Sequence, residues 1–188
     1  KIVWEKSYGH MTYGFQEPVT TETVYDLACM TKILASTLSL MKLQEMGKLS
    51  LYSPVDNYIA GVDTTNKSGM ILYDMMAHVA GLYPWIPFYT ETLEKRKKQM
   101  IPSPIYYSNA LNDTFTIPVA KKLFLRQDYR DTIWHKIFGS ELRSTKSYRY
   151  SDLGPYIAAK IIENVSGTRL DLFVDNYFYK PLALRNTL

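Results

Sequence analysis

The chain has 188 residues, 46% of them hydrophobic, and 22 Lys and Arg against 18 Asp and Glu leave a net charge of +4. That is one ordinary domain with enough apolar content for a real core, and too little excess charge for a nucleic-acid-binding protein. The single cysteine, Cys29, excludes an internal disulfide, and no apolar run is long enough for a membrane helix.

In chain order, "KIVWEKSYG" and "MTYGF" alternate apolar and polar residues around Gly9 and Gly14, which predicts an amphipathic hairpin. The period turns helical from about Thr31 to Met46, with Leu34, Leu38, Met41 and Met46 on one stripe and Gly47 as the C-cap. A second helix is expected over Leu72 to His78, stopping at Gly81. From Tyr83 to Thr116 prolines interrupt many aromatics, a pattern of irregular structure that often lines or lids a cleft. The basic run "EKRKKQ" (94–99) reads as a solvated helix face or loop rather than a binding patch. Further helices are expected from about Asp128 to Phe138, from Leu153 to Val165 closed by Gly167, and over "LDLFVDNYFYKPL" up to Pro181. The expectation is one α+β domain over residues 1–188, rich in helix and with few strands.

The chemistry centres on "DLACMTKI" (26–33), where Cys29 stands three residues before Lys32 at a helix start. That spacing places both side chains on one face, and a helix N-terminus favours an ionised nucleophile and offers free N–H groups to an oxyanion. Lysine becomes a base only where burial or neighbouring cations lower its pKa. The same chain carries a control: Ser39 and Lys42 have the same spacing but lie mid-helix without free N–H groups, and read as plain helix surface. His10, His78 and His135 have no metal-ligand spacing, so no metal site is expected. Trp85, Tyr106 and Tyr107 read either as core aromatics or as walls of a substrate cleft, with Trp85 and Tyr107 taken as substrate-binding candidates.

The stretch "VYDLACMTKILASTLSLMKLQEMGKLSLYSPVDNYI" closely resembles the first-motif region of penicillin-binding proteins and class C type β-lactamases, usually D-L-A-S-x-T-K followed by a long helix. "MILYDMMAHVAGLYPW", "YRYSDLGPYIAAKIIENVSG" and "YFYKPLALRNT" resemble later segments of the same family, in family order. The resemblance implies a β-lactamase/transpeptidase-like fold: a helical subdomain plus part of an antiparallel sheet. The C-terminal strands and the third motif, K-T-G or H-x-G, are not found before Leu188. "KSG" at 67–69 stands too early for that motif and reads as a loop turn.

By the same resemblance Cys29 occupies the nucleophile position where the family has Ser, Lys32 is the base or proton shuttle, and Tyr150 is the phenol of the second motif. Asp152 falls where the pattern has Asn, a substrate-binding position. The implied activity is that of a hydrolase of the β-lactamase, D-alanyl-D-alanine carboxypeptidase or esterase type, working through an acyl-enzyme on an amide, lactam or ester, without metal or organic cofactor. The alternative is a module that binds a cell-wall-like ligand without turnover. A periplasmic or secreted location is implied, and open sheet edges would call for a homo-oligomer or a partner chain that completes the sheet.

Overall fold

The computed structural model describes residues 3–184, 186 and 187. Its centre is helix α4, Leu153–Ser166. Leu153, Ile157, Ala158, Ile161 and Ile162 recur at helical spacing and are fully buried. Around that stripe pack Leu40 and Leu43 of α1 (Leu38–Glu45), Leu72 and Met75 of α2 (Leu72–Met76), Ile137 of α3 (Tyr129–Gly139) and Phe173 of α5 (Leu170–Val174). Each such leucine or isoleucine contributes about 1.5–3 kcal/mol by leaving water, so the α4 stripe alone is a large share of the stability. Helix α4 ends where predicted, with Gly167 in the left-handed conformation at φ 70° and its N–H on the Glu163 carbonyl.

The helix that follows Cys29 is not uniform. A 3-10 turn over Ala28–Met30 precedes a widened π-helical stretch over Lys32–Thr37, which leads into α1. A wide turn rotates the residues that follow, so the buried face is Ala35, Ser36, Ser39, Leu40 and Leu43. The expected stripe of Leu34, Leu38, Met41 and Met46 is therefore wrong: Met41 and Met46 are exposed. Ser39 is likewise not surface but fully buried, while Lys42 pairs outside with Glu45.

Strands occur elsewhere than expected. No strand forms in residues 3–27, which carry only a single bridge between His10 and Pro18, with Trp4, Tyr8, Tyr13 and Phe15 exposed. A two-stranded hairpin is marginal without a third strand or a helix to cover it, and no described strand lies beside this one. The strands lie instead in and just beyond the stretch expected to be irregular. Strands β1 (Leu93–Arg96) and β2 (Gln99–Pro102) form a hairpin whose exposed tip carries the basic run, with Lys97 and Lys98 in the turn, so that it is solvated as expected but lies on no helix. Strands β3 (Tyr107–Ser108), β4 (Phe115–Ala120) and β5 (Leu123–Arg126) form a second antiparallel sheet in the order β3-β5-β4.

Two side chains hold distant segments. The Lys67 side chain is fully buried, and its ammonium bonds the Phe138 carbonyl, the Ser140 carbonyl and hydroxyl, and the Asn66 amide oxygen, so it caps the C-terminal end of α3. The turn at 67–69 is thus a structural staple. Tyr179, in the widened turn Asp175–Tyr179 after α5, donates its hydroxyl to the Leu34 carbonyl at 2.9 Å and ties the C-terminal helices to the Lys32–Thr37 stretch.

Candidate active site

The phrase "DLACMTKI" folds as a tight turn that presents Cys29 ahead of the helix. Asp26 Oδ1 accepts the Ala28 N–H at 2.8 Å, and Ala28 itself is held left-handed at φ 44°. An alanine there costs of order 1–2 kcal/mol, and strain of this kind clusters where geometry serves function. Cys29 is exposed, with its thiol free. One turn on, Lys32 opens the widened helix, a geometry frequent at functional sites.

Cys29, Lys32, His78 and Tyr150 line one cavity of about 160 Å³, with apolar walls that include Ile33 and Met76. Binding pockets for whole small molecules run from roughly 300 Å³ upward, so this volume suits the reacting end of a substrate whose remainder lies outside. A larger cleft of about 690 Å³ opens on the other face of the same helical stretch, between Tyr25, Leu34, Ala35, Leu170, Val174 and Tyr179, and contains neither the thiol nor Lys32.

The charges inside the small cavity are coupled. Lys32 Nζ stands 2.9 Å from Asp152 Oδ1, with the two side chains 19% and 36% exposed, so solvent screens the pair only in part. Asp152 Oδ1 makes no aligned hydrogen bond among the described residues, so the contact is a charge pair, and Lys32 is its compensation. Burial works against the Lys32 ammonium, but Asp152, with Tyr150 and Cys29, outweighs it and holds the lysine pKa above its ordinary value. The ammonium also lies over the face of the Tyr150 ring, with Nζ 5.4 Å from the ring centre. Cys29 responds in the opposite sense: contact with the Tyr150 hydroxyl, then with Lys32 and its charge, lowers the thiol pKa, against a smaller opposing effect of Asp152. Cys29, first, pushes the Tyr150 phenol pKa up, against the lowering effect of Lys32, and so favours the neutral phenol.

The arrangement favours a Cys29 thiolate beside the Lys32 ammonium, with the Tyr150 phenol as proton donor. Lys32 cannot serve as a base while Asp152 keeps it charged, and a thiolate needs no base.

Of the sequence candidates, Cys29, Lys32 and Tyr150 meet in the cavity and Asp152 touches it through Lys32. Trp85 and Tyr107 do not line it. Trp85 is 57% exposed, and Tyr107, on β3, shares a hydrogen bond of 2.8 Å with Thr92 Oγ1. The structure adds His78, which faces the cavity and which the sequence placed only at the end of the second helix, without metal-ligand spacing. Its place is set by a backbone turn that no spacing rule marks: α2 stops at Met76, short of the expected His78, and His78 is left-handed at φ 61°. Among the described residues no three or more His, Cys, Asp or Glu side chains converge as a metal site, and no helix is long and apolar enough to cross a membrane.

Comparison with known proteins identifies the family and the fold. The profile of the family described as Beta-lactamase matches residues 1–188. A Bacillus subtilis protein named N-acetylmuramyl-L-alanine amidase is 31% identical over 174 residues, covering 89% of this chain and 34% of the relative. The chain thus spans about a third of the curated relatives it matches. FmtA of Staphylococcus aureus superposes with a TM-score of 0.64 at 21% identity, over 96% of this chain and 41% of FmtA. The octameric penicillin-binding protein homologue of Pyrococcus abyssi gives 0.62 at 19%, over 98% and 37%. At these identities the structural likeness shows the fold alone: β-lactamase/transpeptidase-like, with helices and small antiparallel sheets.

Proposed function

Since the chain belongs to the Beta-lactamase family, we propose that the Cys29 cavity is an acyl-transfer site for peptide-like amide, lactam or ester carbonyls. The observation that carries this reading is the meeting of Cys29, Lys32 and Tyr150 in one small cavity. The name of the Bacillus subtilis relative, an N-acetylmuramyl-L-alanine amidase, supports a cell-wall-like amide substrate. In the first step the Cys29 thiolate adds to the carbonyl carbon, the bond to the leaving nitrogen or oxygen breaks, and the Tyr150 hydroxyl supplies the proton that group takes away. In the second, the Tyr150 phenolate takes a proton from the water that adds to the thioester, the C–S bond breaks with the thiolate as leaving group, and the free acid departs, so that thiolate and phenol are both restored. Lys32 acts throughout as the fixed positive charge that favours the thiolate and the developing oxyanion.

Two departures from the family pattern then fit each other. Cys in place of Ser removes the need for a neutral lysine base, and Asp152 in place of Asn keeps the lysine charged. A second reading, ligand binding without turnover, draws on the same ion pair, because a charged Lys32 cannot activate the water of the second step. Turnover of a chromogenic ester and a chromogenic cephalosporin by the wild-type chain, Cys29→Ser and Cys29→Ala separates them. Turnover lost in Cys29→Ala supports hydrolysis; a single stoichiometric burst supports binding with arrested deacylation; no release above the Cys29→Ala background rejects acyl transfer. Self-association or a partner chain covering the apolar surface around Trp4, Tyr8 and Phe15 is part of the same proposal, and scattering in solution reports it.

A further inference from the structure

We propose that His78 is a positioning residue that sets Tyr150 against the Cys29 thiol, a role that rests on the reading of the Cys29 cavity given above. Both chain neighbours of Tyr150 are bound to this one residue. The His78 carbonyl accepts the Arg149 N–H at 2.9 Å, and its Nδ1 accepts the Ser151 N–H at 3.2 Å. Between those two bonds the Tyr150 ring lies over the imidazole, with centroids 4.7 Å apart and planes 39° from parallel. The ring of Tyr148 meets the imidazole edge-on at 6.1 Å. The strap continues past the site: Ser151 Oγ donates to the Tyr83 carbonyl at 2.6 Å, and the Asp152 N–H reaches the Pro84 carbonyl at 2.7 Å. Segment 149–152, which carries both Tyr150 and the partner of Lys32, is thereby laid along segment 78–84.

The left-handed backbone at His78 makes the double contact. At φ 61° the chain reverses just after α2, so that the carbonyl and the side chain of the same residue both face segment 149–151. Histidine, with Asn and Asp, is one of the few non-glycine residues enriched in that conformation. An Nδ1 that accepts from a backbone N–H carries no proton, so the neutral ring holds its proton on Nε2. Protonating Nδ1 would set two donors face to face and release Ser151.

The ionisable groups around the ring are Lys32, Asp152, Tyr150, Tyr148 and, across the cavity, Cys29. Burial first, and the Lys32 charge second, keep the imidazole neutral below its ordinary titration range, against the opposing charge of Asp152. The clamp is therefore closed at neutral pH and opens only in acid.

The test uses the 188-residue chain and iodoacetamide alkylation of Cys29 followed across pH, a readout that needs no substrate. In His78→Phe the ring survives but the acceptor is lost. The inflection of the alkylation profile should move up towards that of an ordinary thiol, while the rate on its alkaline plateau stays unchanged. Acylation of Cys29 by an activated ester at neutral pH should fall between about ten- and a hundredfold. His78→Asn, whose side-chain oxygen can take the Ser151 N–H and which tolerates the left-handed backbone, should restore the inflection. A folded His78→Phe chain with the wild-type inflection overturns the proposal, as does an inflection moved equally by both variants. Nitrogen-15 spectra of the wild-type imidazoles decide the matter without a variant: an Nε2–H tautomer at His78 is expected, and an Nδ1–H tautomer contradicts it. If the ester leaves no adduct on wild-type Cys29, the acyl-transfer reading fails, while the alkylation profile and the tautomer still judge His78.

Discussion

Replacing Gly154 by alanine should loosen the site from behind. Gly154 is buried in the first turn of α4, two residues after Asp152, where the helix meets the end of α2. A Cβ there would stand 3.2 Å from the Met75 carbonyl oxygen, 3.3 Å from Met75 Cγ and 3.8 Å from Leu82 Cδ1. The carbonyl cannot retreat freely, because it accepts the His78 N–H at 3.2 Å and Met75 is 1% exposed. Overpacking of a tight core contact costs about 1–3 kcal/mol, and the gain in helix propensity returns at most about 1 kcal/mol. With the overpacking cost at its midpoint of about 2 kcal/mol and the full propensity gain returned, the net is a loss of about 1 kcal/mol, which in a chain of this size lowers the melting temperature by roughly 2–4 °C. Thermal melts followed by circular dichroism measure it. Because the displaced carbonyl anchors His78, alkylation of Cys29 at neutral pH should slow in the same variant. A melting temperature equal to or above that of the wild type, with unchanged alkylation, would refute the packing argument.

Other outcomes follow from the charges and staples. The pH profile of Cys29 alkylation should inflect below the value of about 8.5 of an ordinary cysteine, because Tyr150 and Lys32 lower the thiol pKa. Lys32→Met and Tyr150→Phe should each move that inflection up, and Asp152→Asn should move it down, since the Asp152 charge opposes the thiolate; shifts of one sign in all three would break the account. Lys67→Met keeps the stem but orphans the Phe138 carbonyl, while the Ser140 carbonyl keeps the bond donated by the Asn66 side-chain amide. At about 1–3 kcal/mol for a buried group left unpaired, the loss is about 1–3 kcal/mol, or roughly 2–12 °C in melting temperature, and a denaturant titration gives the same quantity independently. An unchanged midpoint would show that water replaces the ammonium at no cost.

What could be read in the sequence were the features that repeat or punctuate. The α4 stripe from Leu153 to Ile162 and its Gly167 stop were legible because periodicity and a left-handed cap are local properties. The meeting of Cys29 with Tyr150 and Asp152, more than a hundred residues apart in the chain, came from family resemblance and not from spacing. The buried face of the first helix was misread because a π turn shifts the register and leaves no mark in composition. The strands between Leu93 and Arg126 escaped because prolines and charges break their alternation, as at Pro102 and Pro118, and because strand pairing is decided by the partner strand. His78 escaped for a related reason: its importance comes from one backbone angle and from what segment 149–152 does beside it.

The central claim, that Cys29 is the nucleophile of an acyl-transfer site, is tested most directly by locating the acyl group. After exposure to an activated ester or a β-lactam, the intact chain should gain one acyl mass, carried by the tryptic peptide Ser7–Lys32, which contains Cys29. Tyr150→Phe should slow the gain, and Cys29→Ala should abolish it. A mass gain that survives in Cys29→Ala, or an unmodified Ser7–Lys32 peptide in an acylated chain, would contradict the account.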